Sequence, residues 1–326
     1  MTTGGEYTPA QRRTLDAIRL PADQRPSFPA GLADEIHERL DARLAEPAAL
    51  LLAKSDDLWI TKRALAGVNS CEGRYLADEE AGFEWSVPTA RGTVFHRAAE
   101  FWATADDRPE PAPEFVDIAI AHYIENYEKT GDRLGEFLQS ASAGDLAELR
   151  SFAKTMLVLF ADSFPPIGRG WNLQVEVPRR HLLCDGNVTM SGKYDLALGR
   201  PDATADGGAS SAYTAGRTIV DLKTGRRSPF DADDAHFYAL LETLVTNVPP
   251  MLVGTFYVAE GRAVTEQVTT DLLWAAVERT VAGAERLVEL RHGEAEPVLR
   301  PGFACNWCRV VDDCETGRAW LDDHED

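Results

Sequence analysis

Apolar positions recur along this chain with two different periods, and the change between them divides it. Up to about residue 164 the spacing is helical. The first 50 residues carry one amphipathic helix, LADEIHERLDARLAE, among proline breaks such as RLPADQRPSFPAG. Residues 60–104 are again helical, interrupted by CEGRYLADEEAGFEWSVPTA. A helix starting near Gly92 places Val94, Phe95, Ala98, Ala99 and Trp102 on one stripe. Two or three further helices run through EFVDIAIAHYIENYEK and DLAELRSFAKTMLVLFADSF. At Pro165-Pro166 the period changes: WNLQVEVP, RHLLC, VTMSGKYDLALG and RTIVDLK are short β-rich runs with turn residues between them. The small-residue stretch RPDATADGGASSAYTAG (200–216) reads as a loop with a disordered tip. A helix (DADDAHFYALLETLVTN), a strand (MLVGTFYVAEG) and a long helix over about 270–292 complete the pattern, with no internal repeat.

Helices, a small meander, then helix–strand–helix predict an α/β fold with a mixed central β-sheet flanked by helices and a helical N-terminal region. Residues 1–50 read as an N-terminal extension and 51–326 as one domain. Hydrophobic residues make up 44% of the 326 and charged residues 26%, the composition of a globular chain with ample core. No run of eighteen apolar residues is present, which argues against a membrane span. The first twenty residues lack the apolar core of a secretory signal, so a cytoplasmic location with reduced thiols is expected. Fifty-three acidic against 33 basic residues leave a net charge of −20. That balance runs against nucleic-acid binding, which favours a basic face. It leaves the local potential open, and a divalent-metal site itself needs acids.

The stretch RTIVDLKTGRR (217–227) puts Asp221 and Lys223 two residues apart on a strand. Side chains at that spacing share a face, while Val220 and Leu222 point the other way. If the preceding strand pairs with it as a hairpin, Asp195 of SGKYDLAL approaches Asp221. Facing carboxylates raise each other's pKa unless a cation sits between them, and oxygen ligands suit Mg²⁺ or Mn²⁺. A lysine beside such a metal can hold the attacking water, which is the logic of metal-assisted hydrolysis of a phosphodiester. An exposed ion pair across the strand would give the same three residues. Farther along, RGTVFHRAAEFW sets His96 beside the apolar stripe of its helix, with Glu100 one turn later, and DDAHFYALLETL carries Tyr238.

In order along the chain, GTVFH, GKYD, DLKTG and FYALL resemble the RecB-like exonucleases of the PD-(D/E)XK nuclease superfamily, over roughly residues 60–320. The resemblance implies a restriction-endonuclease-like core and a metal-dependent deoxyribonuclease of DNA repair or recombination. By motif match His96, Asp195 and Asp221 would hold Mg²⁺ or Mn²⁺, Lys223 would assist the water, and Tyr238 would lie on the DNA side. The family's glutamine four residues before that tyrosine is Asp234 here. Arg226 and Arg227, just past the strand, would meet the phosphate backbone, as would Arg179 and Arg180. The chain has no P-loop, so work on duplex DNA would call for a separate helicase. A degenerate nuclease-fold scaffold is the alternative, although such members lose an acid or the lysine and both are kept here.

Three of the five cysteines crowd the tail as Cys305-x2-Cys308-x5-Cys314, a spacing that points to metal ligation in a reducing compartment. Cys184 lies in a strand-like run and reads as a small core residue. Iron–sulfur members of the family have one cysteine before the core and three after it, which implies Cys71 as the fourth ligand of a 4Fe-4S cluster. Four thiolates also suit Zn²⁺.

Overall fold

The computed structural model describes residues 7–53, 56–105, 112–131, 133–202, 212–293 and 295–324. Two compact units are assembled from alternating stretches. Residues 1–30, 85–178 and 193–269 make the first, and residues 31–84, 179–192 and 270–326 the second. The expected boundary at residue 50 falls inside the helix Leu32–Leu52, and the first fifty residues are shared between the units instead of forming an extension. Most of the expected small-residue loop, residues 203–211, lies outside the described residues.

In the first unit the sheet is mixed, as the pattern predicts. Thr218–Lys223 runs parallel to Leu252–Tyr257, with Ile219 opposite Val253, and the helix Asp231–Thr246 connects them. This is the crossover that a parallel pair requires. Both strands are buried almost throughout, which is why TIVDLK and LVGTFY read as apolar runs without alternation. Val188–Leu198 flanks the pair antiparallel, Leu196 opposite Val220, and Arg262–Gln267 closes the far edge. The latter strand and its hairpin to Leu252–Tyr257 are absent from the sequence reading, because RAVTEQ is half polar and largely exposed.

One sheet face is covered by the helices Val87–Thr104, Glu114–Thr130 and Ala143–Ser163. Their apolar stripes meet Leu196, Leu198, Val220, Leu222 and Phe256 in one core. All five stripe residues named from Val94 to Trp102 are buried. Their helix begins five residues before Gly92, because Ser86 and Thr89 form a reciprocal cap and proline occupies the first turn. Asp231–Thr246 packs beside Tyr194, its Tyr238 ring 5.6 Å from the Tyr194 ring. Beneath it a buried ion pair joins Arg217 and Glu242 at 2.5 Å, and Tyr194 donates its hydroxyl proton to the same carboxylate. Taking one partner away would leave an uncompensated charge at a site of almost no exposure.

In the second unit the helices Leu32–Leu52 and Thr270–His292 are linked by Arg43, which bonds Glu278 and Glu285 at 3.1 Å each. Gly283 lets Leu65 approach, since a Cβ there would stand 2.5 Å from its Cδ2. The buried Glu72 opens the helix Glu72–Ala81 and binds the Arg286 guanidinium through both oxygens at 3.0 and 2.6 Å. It also accepts the Val298 amide at 2.7 Å, so the residue after Cys71 is tied to the chain leading into the cysteine-rich tail. Among the described residues no helix is long and apolar enough to cross a membrane.

Candidate functional site

In the first unit a cluster of titratable groups lies where two central strands part. Their backbone pairing runs from Leu198–Thr218 to Leu196–Val220. Beyond it the Leu222 amide donates to Asp195 Oδ2 at 2.6 Å, a side chain standing in for the ladder. Asp195 Oδ1 in turn contacts His96 Nδ1 at 2.8 Å. His96 is delivered by the long helix on the sheet face, whose apolar neighbours Phe95 and Ala99 fix its rotation. Burial disfavours the charged imidazole, yet the Asp195 charge and hydrogen bond, with Glu176 and Asp221 farther off, lift the His96 pKa above its ordinary value.

Glu176 completes a trio. One ligand atom each from His96, Glu176 and Asp195 lies within 4.8 Å of the others, one nitrogen and two oxygens that could hold a metal ion. Glu176 sits inside the strand Gln174–Leu183 with φ at +48°, in the left-handed region that a side chain with a Cβ adopts at a cost of about 1–3 kcal/mol. Such a backbone persists only when the surroundings hold it, and here Lys193 Nζ grips the Glu176 carboxylate. Sequence reasoning passed over Glu176. Its signal was a single acid in the otherwise apolar run VEVP, unreadable as a ligand without knowing that the bent strand aims it at His96.

Asp221, buried, stands beside this trio and outside its 4.8 Å limit, with Oδ2 3.0 Å from Lys223 Nζ. The lysine also lies 3.0 Å from Asp234 and 3.9 Å from Asp231. Asp221 and Lys223 thus share a face as the strand period requires, while Val220 and Leu222 enter the helix-covered core. Asp234, where the resemblance leads one to expect a glutamine, sets a second carboxylate against the lysine. Asp231 is held by the Tyr257 hydroxyl at 2.9 Å and the Ser228 amide at 2.8 Å.

Tyr238 corrects an expectation. It is 1% exposed and donates its hydroxyl to the Lys193 carbonyl at 2.7 Å, so it braces the strand carrying Asp195 and presents nothing to a nucleic acid. Burial, followed by the charges of Asp221 and Asp195, pushes its pKa far above the phenol range. Arg227, exposed, is bound by Glu260 through two nitrogens and lies 4.5 Å over the Tyr257 ring; Arg226 is exposed beside it.

The second unit holds the cysteines. Cys71, Cys305, Cys308 and Cys314 all line one cavity of about 240 Å³, whose other walls include Leu299, Val310 and Val311. Cys71 precedes the helix Glu72–Ala81 and Cys314 the helix Glu315–Asp322. The Cys305 and Cys314 sulfurs accept backbone N–H bonds from Gly302 at 3.4 Å and Gly317 at 3.3 Å. Cys184 lies apart from that cavity, its thiol pushed up to about 11 by burial and by Asp41. None of the five is disulfide-bonded.

Comparison with known proteins fits this geometry. The chain belongs to the PD-(D/E)XK nuclease superfamily, whose family model matches residues 60–315. Nucleases of this superfamily typically use divalent metals. A provisionally named exonuclease from Eubacterium rectale has a crystal structure similar to this chain at 13% identity and a TM-score of 0.38, covering 82% of this chain and 93% of that one. At that level it adds nothing to the family assignment. No curated protein matches the chain.

Proposed function

We propose that this chain is a RecB-like, Mg²⁺- or Mn²⁺-dependent exonuclease that hydrolyses DNA phosphodiesters in repair or recombination in the cytoplasm. The observation that carries the reading is the placement of Lys223 against Asp221 beside the His96–Glu176–Asp195 trio. His96, Glu176 and Asp195 would hold the ion, with Asp221 the nearby further carboxylate. The two carboxylates suit Mg²⁺ or Mn²⁺, and the imidazole nitrogen tilts the set toward Mn²⁺. When bound, the ion supplies charge neutralisation at the phosphodiester and acidifies the attacking water. Lys223, positioned by Asp221 and Asp234, donates hydrogen bonds that orient the water and offset charge developing on the phosphoryl oxygens. Tyr238 keeps the Asp195 strand in register. Duplex DNA would be opened by a separate helicase.

Glu176→Gln tests the added ligand. It keeps the size of the side chain and removes its charge, and Mn²⁺ affinity should fall at least about tenfold by calorimetric titration. Unchanged affinity would return Glu176 to a purely structural ion pair with Lys193.

Arg226 and Arg227 are the proposed backbone contacts. Arg226→Ala and Arg227→Ala should each lower the salt slope of DNA binding, by up to about one. Equal slopes for wild type and both variants would assign the pair to solvated surface.

The four-cysteine cavity is proposed to hold a 4Fe-4S cluster, with Zn²⁺ as the alternative. Four cysteines on one cavity, and amide donors aimed at two of the sulfurs, support a thiolate site. Its role would be structural, closing a chain segment that runs from Cys71 to Cys314.

A further inference from the structure

At the other end of the strands that carry Asp195 and Asp221 lies a second cavity, of about 150 Å³, with no part in the site above. Two arginines, Arg19 and Arg25, line it together with Trp171, and no acidic residue is among its described lining residues. In a chain of 53 acidic and 33 basic residues that is an unusual local balance. The Arg25 Nε is buried and has no hydrogen-bond partner among the described residues. A buried donor left unsatisfied costs about 1–3 kcal/mol, so the Arg25 guanidinium is not spent on pairing through this nitrogen. The Arg19 guanidinium, on an exposed residue, lies 5.6 Å over the Trp171 ring, which also lines the cavity. The neighbouring Arg217 is otherwise engaged, donating to the Gly199 carbonyl at 3.2 Å and paired with Glu242. Gly199, at φ +90°, closes the floor: a Cβ there would stand 2.1 Å from the Gly216 oxygen. This close backbone approach makes the pocket a formed feature of the turn.

We infer that this cavity is a phosphate-binding subsite in which Arg19 and Arg25 take a phosphate monoester dianion. Two guanidinium forks match the charge and the several acceptor oxygens of a monoester better than those of a singly charged diester. The position suggests which phosphate. Leu198 and Thr218 line the cavity, each three residues, or about 10 Å, along its strand from Asp195 or Asp221. Resting on the nuclease reading, the subsite would anchor the terminal phosphate of a strand whose scissile bond lies at Lys223. A free phosphate or mononucleotide offers the same chemistry.

The test uses the full chain without divalent metal, so it does not depend on cleavage. Inorganic phosphate titrated calorimetrically should bind the wild type, and Arg25→Ala and Arg19→Ala should each weaken it at least tenfold. Mn²⁺ binding should be unchanged in both variants. Wild-type protein that binds no phosphate, or variants that bind it as well as the wild type, would overturn the subsite even if DNA is cleaved normally. Oligonucleotides ending in phosphate or in hydroxyl separate the sources. A tenfold or greater preference for the phosphorylated end, lost in Arg25→Ala, supports the strand anchor. Equal cleavage of both ends overturns the anchor and assigns the subsite to free phosphate.

Discussion

Replacing Lys223 with alanine is expected to abolish DNA cleavage, by about a thousandfold or more, while Mn²⁺ binding stays within a few-fold of the wild type. The lysine touches Asp221, Asp234 and Asp231 and donates no lone pair to a metal. Its removal takes a charged donor from the water and the phosphate and leaves His96, Glu176 and Asp195 in place. Asp195→Ala should lose metal and cleavage together, because the same carboxylate also accepts the Leu222 amide and contacts His96. His96→Ala should fall between the two. Asp221→Ala discriminates further: its oxygen lies against the lysine, so cleavage should be lost in either event, and the Mn²⁺ titration decides whether it is also a ligand. Cleavage retained in Lys223→Ala would overturn its role.

Loss of any one of Cys71, Cys305, Cys308 or Cys314 to serine should bleach anaerobically purified protein and lower its unfolding midpoint by roughly 10 °C or more. Binding energy in a structural thiolate site is folding energy, of order 10 kcal/mol. Cys184→Ser should leave colour and midpoint nearly unchanged, since its thiol is held protonated by burial and lies away from the cavity. The Glu72–Arg286 anchor is independent of the sulfurs, so the serine variants should keep part of the tail's docking. Colourless wild-type protein with one zinc per chain would overturn the cluster and keep the staple.

How far these sites could be read from residues alone differs from one to the next. The shared face of Asp221 and Lys223 was readable because strand periodicity dictates it, and the place of His96 because its neighbours form a helical stripe. The approach of Asp195 was readable from the pairing that the two apolar runs suggest. The position of Glu176 was not, because it depends on a positive φ that no local propensity foretells. Tyr238 was misplaced for a related reason: the helix bearing it is buried on nearly every side, from Ala235 through Leu244, and offers no amphipathic pattern by which to orient it. The two-unit division was also hidden, since the stretches of each unit alternate along the chain and no linker composition marks their borders. The phosphate subsite joins residues about 230 positions apart, from Arg19 to Met251, a proximity only the fold creates.

The most direct test of the nuclease reading is digestion of end-labelled single-strand and duplex DNA by anaerobically purified wild-type protein, with and without Mn²⁺, beside a Mn²⁺ titration of the same preparation. The expected result is stoichiometric Mn²⁺ binding and metal-dependent loss of DNA that Lys223→Ala abolishes. Protein that binds no divalent ion and leaves both DNAs intact would contradict it, and would leave a degenerate nuclease fold that only binds.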